Sequence, residues 1–227
     1  LQEDKNSETS IPNIRNQYTV TDKADGERKL LYIADDGKIY LIDTNMNVIF
    51  TGTKTKEKTL YNSMVDGEHI KYDKEGTFIN LYAAFDVYYI HEKSVREYPF
   101  IPPNEESVET KYRLPLLHKL TELINPVSIL ENKVDKKQTL PPGHFHVRCK
   151  SFYSASDSAS IFDGCAKILS NVSDGTFEYT TDGLIFTPSD FAVGGNSVDG
   201  PPGPLTKSTW EHSFKWKPAE FNTIDFL

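Results

Sequence analysis

The chain has 227 residues, 37 % of them hydrophobic and 12 % aromatic, enough for one substantial domain or two small ones around a packed core. No stretch approaches the roughly eighteen apolar residues of a membrane span, no signal-peptide pattern opens the chain at Leu1-Gln2-Glu3-Asp4-Lys5, and a membrane partner is not expected. The net charge of −8 argues against a protein that coats nucleic acid non-specifically but leaves room for a local cationic pocket, and two cysteines, Cys149 and Cys165, supply neither a disulfide framework nor a zinc set and fit a reducing compartment.

Residues 1–16 are polar and read as an N-terminal arm; the missing initiator Met suggests a piece of a longer polypeptide. Residues 17–90 read as a β-rich block, with strands expected at 29–33, 38–42, 48–50, 68–72, 77–81 and 82–90. Asp35-Asp36-Gly37 and Asp73-Lys74-Glu75-Gly76 punctuate them as hairpin turns. After a charged, proline-containing connection at 91–110, Leu116, Leu117, Leu120, Leu123 and Ile124 predict a helix over 112–124, with Pro115 tolerable near its start. A strand is expected at 144–152. Ile161, Phe162, Cys165, Ile168 and Leu169 then mark one face of a helix over 156–169, with serines and Asp157 available as caps. A strand at 183–187, a Gly/Pro-rich loop at 194–204 that reads as exposed and mobile, and a last strand at 213–217 complete an α+β chain with mixed sheets.

The chemistry-bearing residues lie at the punctuation. Lys23 precedes the turn Asp25-Gly26, where glycine supplies backbone freedom, and Arg28 opens the strand beyond it. Val65-Asp66-Gly67 delivers Glu68 onto a strand; Phe85-Asp86 puts an acid into an apolar run, where it needs a partner; Thr181-Asp182-Gly183 leads into Leu184-Ile185-Phe186. In Ser213-Phe214-Lys215-Trp216-Lys217-Pro218, strand periodicity places Lys215 and Lys217 on one face, where like charges repel unless an anion sits between them. Singly, each motif also reads as an ordinary turn, core strand or solvated edge. Together they suit attack on a nucleotide α-phosphate. Lys23 is the nucleophile, favoured as the free amine by nearby cations. Lys215 and Lys217 stabilise developing charge, Asp182 holds a divalent metal, Glu68 accepts from ribose hydroxyls, and Phe85 and Ile185 sandwich a base.

The ordered series K-x-D-G-x-R, D-G-E, F-D, D-G-L-I-F and K-W-K-P, running from about residue 20 to the end, resembles the covalent nucleotidyltransferase superfamily of mRNA capping enzymes and ATP-dependent DNA and RNA ligases. The tail Asn222-Thr223-Ile224-Asp225-Phe226 after Trp216-Lys217-Pro218, and Lys150 in Val147-Arg148-Cys149-Lys150-Ser151-Phe152-Tyr153, are similar to capping guanylyltransferases of large cytoplasmic DNA viruses. The resemblance implies a ligase-type, ATP-grasp-like nucleotidyltransferase domain over 17–227 with mixed, largely antiparallel sheets flanked by helices. It implies that Lys23 forms a covalent lysyl-N-GMP from GTP with Mg²⁺ or Mn²⁺, for transfer to a 5′-diphosphate RNA end. It also implies that Arg28 and Glu68 bind ribose, Phe85 and Ile185 stack on guanine, Lys150 reads the guanine carbonyl, Asp182 serves the metal, and Lys215 and Lys217 bind the α-phosphate. Asp86 is open between a structural hydrogen bond and metal contact.

The family normally continues into an OB-fold domain with a further basic motif, whereas this chain stops at Leu227, so slow or absent charging from GTP is expected of it. Triphosphatase and methyltransferase domains in the same polypeptide or complex, and a cytoplasmic viral setting, follow from the same resemblance. Two rivals are a ligase-type adenylyltransferase using ATP and a catalytically silent nucleotide-binding module of a capping complex. His144 and His146 could share a strand face but lack a third metal ligand, Gly194-Gly195 and Pro201-Pro202-Gly203-Pro204 match no phosphate-binding loop, and no basic aromatic-lined RNA track is apparent.

Overall fold

The computed structural model describes residues 13–15, 17–103, 109–129, 144–156, 158–206 and 209–219. In chain order its strands are β1 (Tyr18–Ala24), β2 (Glu27–Ile33), β3 (Lys38–Ile42), β4 (Val48–Lys54), β5 (Ser63–Tyr72), β6 (Phe78–Ile90) and β7 (Lys93–Ser94). Helix α1 (Arg113–Leu123) follows, then β8 (Val127–Ser128), β9 (His146–Cys149), β10 (Tyr153–Ser154), helix α2 (Ile161–Ser173), β11 (Thr181–Pro188) and β12 (Phe214–Trp216). One sheet has the order β10-β1-β11-β12; the other runs β7-β6-β5-β2-β3-β4-β8, with β9 also on β6. Every strand pair is antiparallel except β6 with β9, so the α+β, largely antiparallel expectation holds.

Each helix covers one sheet with its apolar face. Leu114, Leu117 and Leu120 of α1 pack with Leu31, Ile33, Ile39, Leu41, Val65, Tyr82 and Val87 beneath the large sheet. Ile161, Cys165 and Ile168 of α2 pack with Tyr18, Val20, Leu184 and Phe186 beneath the small one. The 161–165–168 spacing is the helical stripe expected of a half-buried helix. Ser160 caps α2 through a capping box with Asp163, which satisfies free donors of the first turn. Lacking a side-chain cap, α1 has its first N–H groups met by the carbonyls of Pro99 and Phe100.

Three expectations are corrected. The strands expected at 77–81 and 82–90 are one strand, β6, because Asn80 (φ +48°) and the register shifts beside β5 bend it without a turn. The strand expected at 144–152 is only β9 (His146–Cys149), which pairs with β6; the chain then leaves that sheet and a separate β10, past residue 152, pairs with β1. The backbone thus crosses between the sheets at Lys150, whose N–H still donates to the Ala84 carbonyl. The loop at 194–204 is fastened rather than free: Arg96 donates to the Gly203 carbonyl (2.7 Å), Gly203 N–H to Val193 (2.8 Å) and Trp210 Nε1 to Gly195 (2.8 Å). Residues 1–12, Asp157 and the Asn222–Phe226 motif lie outside the described residues.

Candidate active site

Lys23, near the end of β1, and Asp182, near the start of β11, meet because the two strands pair antiparallel. Lys23 Nζ lies 2.5 Å from Asp182 Oδ1. Lys217 Nζ, just past β12, lies 2.7 Å from Asp182 Oδ2. One carboxylate thereby bridges two lysines contributed by strands on opposite sides of β11. Burial alone would raise the Asp182 pKa, but the hydrogen bonds and charges of Lys217 and Lys23 outweigh it and hold the carboxyl below its ordinary range. Lys215 is opposite Ile185 across the β11–β12 ladder, exposed, and joins no ion pair among the described residues.

The bridge depends on Gly183. Its φ is +146°, and a Cβ there would stand 2.0 Å from the Trp216 carbonyl oxygen, so only glycine lets β12 approach closely enough to bring Lys217 to Asp182. Gly26 works differently from its expected role. It has no positive φ; a Cβ would instead meet Glu68 Cγ at 2.8 Å and the His69 carbonyl at 2.9 Å. The K-x-D-G turn therefore needs the space more than the backbone freedom.

Behind Lys23 is a group that sequence reasoning missed. Asp22 is buried and accepts from Lys150 Nζ (3.2 Å) and Tyr179 Oη (3.1 Å) at Oδ2; Lys150 also donates to the Asp22 carbonyl. Burial pushes the Lys150 ammonium pKa down, opposed by the charge and hydrogen bond of Asp22. Lys150, expected to read guanine, thus sits against the nucleophile's strand with its ammonium engaged by Asp22. Asp22 is a charged residue at a strand position facing the core, an anomaly of the same kind as Asp86.

On the large sheet, Arg28 stands directly opposite Glu68. Arg28 grips Asp66 with two donors (3.1 and 2.5 Å), and Tyr88 donates to the same carboxylate at 2.5 Å. The Arg28 guanidinium also lies 5.9 Å from the Phe85 ring centroid. Glu68 has its pKa raised by burial, tempered by the positive charges of Lys150 and Lys23. The fields of Glu68, Lys23 and Lys150 therefore overlap across the gap between the sheets. Ile185 is half-buried on β11 opposite Thr21, so the two expected base-stacking residues, Phe85 and Ile185, come from different sheets.

Asp86 is structural. It forms a two-pronged buried pair with Arg113 (2.8 and 3.2 Å), whose guanidinium also donates to the carbonyls of Tyr98 and Phe191. Among the described residues no group of three His, Cys, Asp or Glu side chains could hold a metal ion. His144 and His146 touch edge to face at 5.3 Å, as expected for neighbours on one face.

Comparison with known proteins identifies the family and the fold. Residues 13–219 match the family described as mRNA capping enzyme, catalytic domain. A probable mRNA-capping enzyme of Acanthamoeba polyphaga mimivirus is 30 % identical over 258 residues, covering 97 % of this chain; the chain spans 20 % of that relative's length. Among solved structures, a mycobacterial DNA ligase D complexed with ATP and MES superposes with a TM-score of 0.50 at 13 % identity, over 92 % of this chain and 58 % of the ligase chain. The ligase domain of the M. tuberculosis enzyme does so with a TM-score of 0.50 at 12 % identity, over 93 % of this chain and 57 % of that one. These structures share the ligase-type nucleotidyltransferase fold, and the chain belongs to the mRNA capping enzyme family, of which it carries the catalytic domain.

Proposed function

We propose that the chain is an mRNA guanylyltransferase working through a covalent lysine intermediate. Lys23 Nζ attacks the α-phosphorus of GTP, forming a P–N bond as the P–O bond to pyrophosphate breaks. A terminal phosphate oxygen of a 5′-diphosphate RNA end then attacks the same phosphorus, forming the capped end and displacing the Lys23 amine. The observation that carries this reading is the Lys23–Asp182–Lys217 bridge, which holds an amine and a second cation on one carboxylate at 2.5 and 2.7 Å. An arriving phosphate supplies Lys217 with an alternative anion, and the contact between Asp182 and Lys23 must open for the amine to attack. Lys217, just past the strand that carries Lys215, is then available to charge developing on the non-bridging oxygens, where fixed cations contribute most. Little covalent chemistry is asked of the protein beyond the nucleophile; positioning does the rest.

Glu68 and Arg28 are the ribose-facing pair, and Phe85 and Ile185 flank the base from the two sheets. Lys150, held by Asp22, sets the charge at the back of the cleft. Asp182 fits a Mg²⁺ or Mn²⁺ ion as its one protein carboxylate, since such ions take their remaining ligands from substrate phosphates and water. When bound, the ion supplies neutralising charge to those phosphates. A longer polypeptide or a complex would supply the triphosphatase and methyltransferase steps.

The test is intact-mass analysis after incubation with GTP or ATP and Mg²⁺, on the wild type, on Lys23→Ala and on a chain extended beyond Leu227. One GMP added to the wild-type or extended chain and none to Lys23→Ala is expected. Labelling by ATP would move the protein to the adenylyl-transferring rival. No labelling of either chain would leave only nucleotide binding.

A further inference from the structure

The face of the large sheet turned away from α1 carries a row that no single stretch of chain reveals. Phe50 of β4, Tyr40 of β3, Tyr32 of β2, Met64 of β5 and Tyr89 of β6 are successive cross-strand partners, each directly opposite the next. With strands about 4.8 Å apart, the row spans about 19 Å. None of its members is buried, and the Tyr40 and Phe50 rings lie 5.3 Å apart with a 44° tilt. At one end a hollow of about 390 Å³ is lined by Tyr32, Asn62, Met64, Tyr89 and Glu92. Its polar rim is ordered by Tyr32 Oη donating to Asn62 Oδ1 (2.9 Å) and Asn62 Nδ2 donating to Glu92 Oε1 (2.8 Å). Near the other end Lys38, on the Tyr40 face of β3 and bonded to the Asp36 carboxylate (2.5 Å), pairs across the ladder with Lys54.

The row is continuous with the candidate active site. Along β2, Tyr32, Leu30 and Arg28 alternate onto the same face, and Arg28 stands opposite Glu68. Four residues of strand place Tyr32 about 13 Å from the Arg28–Glu68 pair. Stacking of unpaired bases on aromatic faces, with lysines for the phosphates, is how single strands are held without regard to sequence. A reaction at Lys23 on a polymer end also needs that strand delivered along a surface leading to the site.

We propose that this row is the acceptor platform: unpaired bases of the RNA stack across Tyr89, Tyr32, Tyr40 and Phe50 while the 5′ phosphates reach the lysines. This rests on the capping reading above, yet its test is separable from it. Binding of a 3′-labelled single-stranded RNA bearing a 5′-diphosphate is measured by fluorescence anisotropy for the wild type, a Tyr40→Ala/Phe50→Ala double variant, Tyr32→Ala and Tyr32→Phe. Lysyl-GMP formation is measured alongside, because that step involves no RNA. The expected result is about ten-fold weaker RNA binding for the double variant and for Tyr32→Ala, with wild-type binding by Tyr32→Phe and unchanged GMP attachment in all. RNA affinity unchanged in the folded double variant would overturn the proposal. So would sedimentation showing that the face instead joins two copies of the chain, with the double variant monomeric and its RNA affinity intact. Failure of GMP attachment in both the wild type and the chain extended beyond Leu227 would sink the capping reading while leaving the RNA measurement to judge the platform.

Discussion

Replacing Gly183 with alanine tests how Lys217 is brought to Asp182. The added Cβ would lie 2.0 Å from the Trp216 carbonyl oxygen, where real contacts stay above 3.0 Å. The backbone of β12 must therefore retreat by about 1 Å, or β11 must abandon its φ of +146°. The second route removes the geometry that lets the strands approach; keeping it with a side chain costs about 1–3 kcal/mol of backbone strain. Either way the Lys217–Asp182 contact at 2.7 Å opens. A displacement of about 1 Å at a catalytic group lowers rates by about 10²-fold. The assay is a quenched time course of lysyl-GMP formation, read by intact mass, alongside thermal unfolding. The expected outcome is charging slowed by about 10²-fold in a protein that still folds, since the core beneath α1 is untouched and the change in β11 is confined to its start. Charging within about two-fold of wild type would refute the claim that the glycine sets the position of Lys217.

Lys217→Ala, with its side chain 37 % exposed, should leave the circular dichroism spectrum unchanged while slowing GMP attachment by about 10²-fold or more. Arg113→Met strands the buried Asp86 carboxylate and should cost about 3–5 kcal/mol in urea unfolding, with most of it recovered when Asp86→Leu is added. Glu68 has a folded pKa raised above its unfolded value of 4.5, so the folded state holds its proton more tightly and stability is lost as pH rises through that interval. Glu68→Gln should therefore gain on the wild type in urea midpoint between mildly acid pH and neutrality, while binding nucleotide more weakly.

How much of this was legible beforehand varies by residue. The strand expected at 213–217 is present as Phe214–Trp216, because its local pattern suits an extended chain, but Lys217 lies past its end and reaches Asp182 from there. The stripe at Ile161, Cys165 and Ile168 located α2, but the helix starts at Ile161 after its Ser160 cap rather than at 156, and Phe162 and Leu169, expected on the same face, are exposed. Asp86 was visibly anomalous, but its partner Arg113 lies 27 residues away on another element, and nothing local names it. The crossing between sheets after Cys149 was hidden because a strand pattern says nothing about which sheet each strand joins.

Taken alone, the amino-acid order determined which chemical groups are present and on which side of each strand or helix they stand. Only the folded arrangement decided which met: Lys23 and Asp182 are separated by 159 residues, Lys150 and Asp22 by 128, and the row of four aromatics and Met64 draws on five strands. Electrostatic and stacking energies depend on distances of a few ångströms, and those are set by sheet register and packing rather than by separation along the chain.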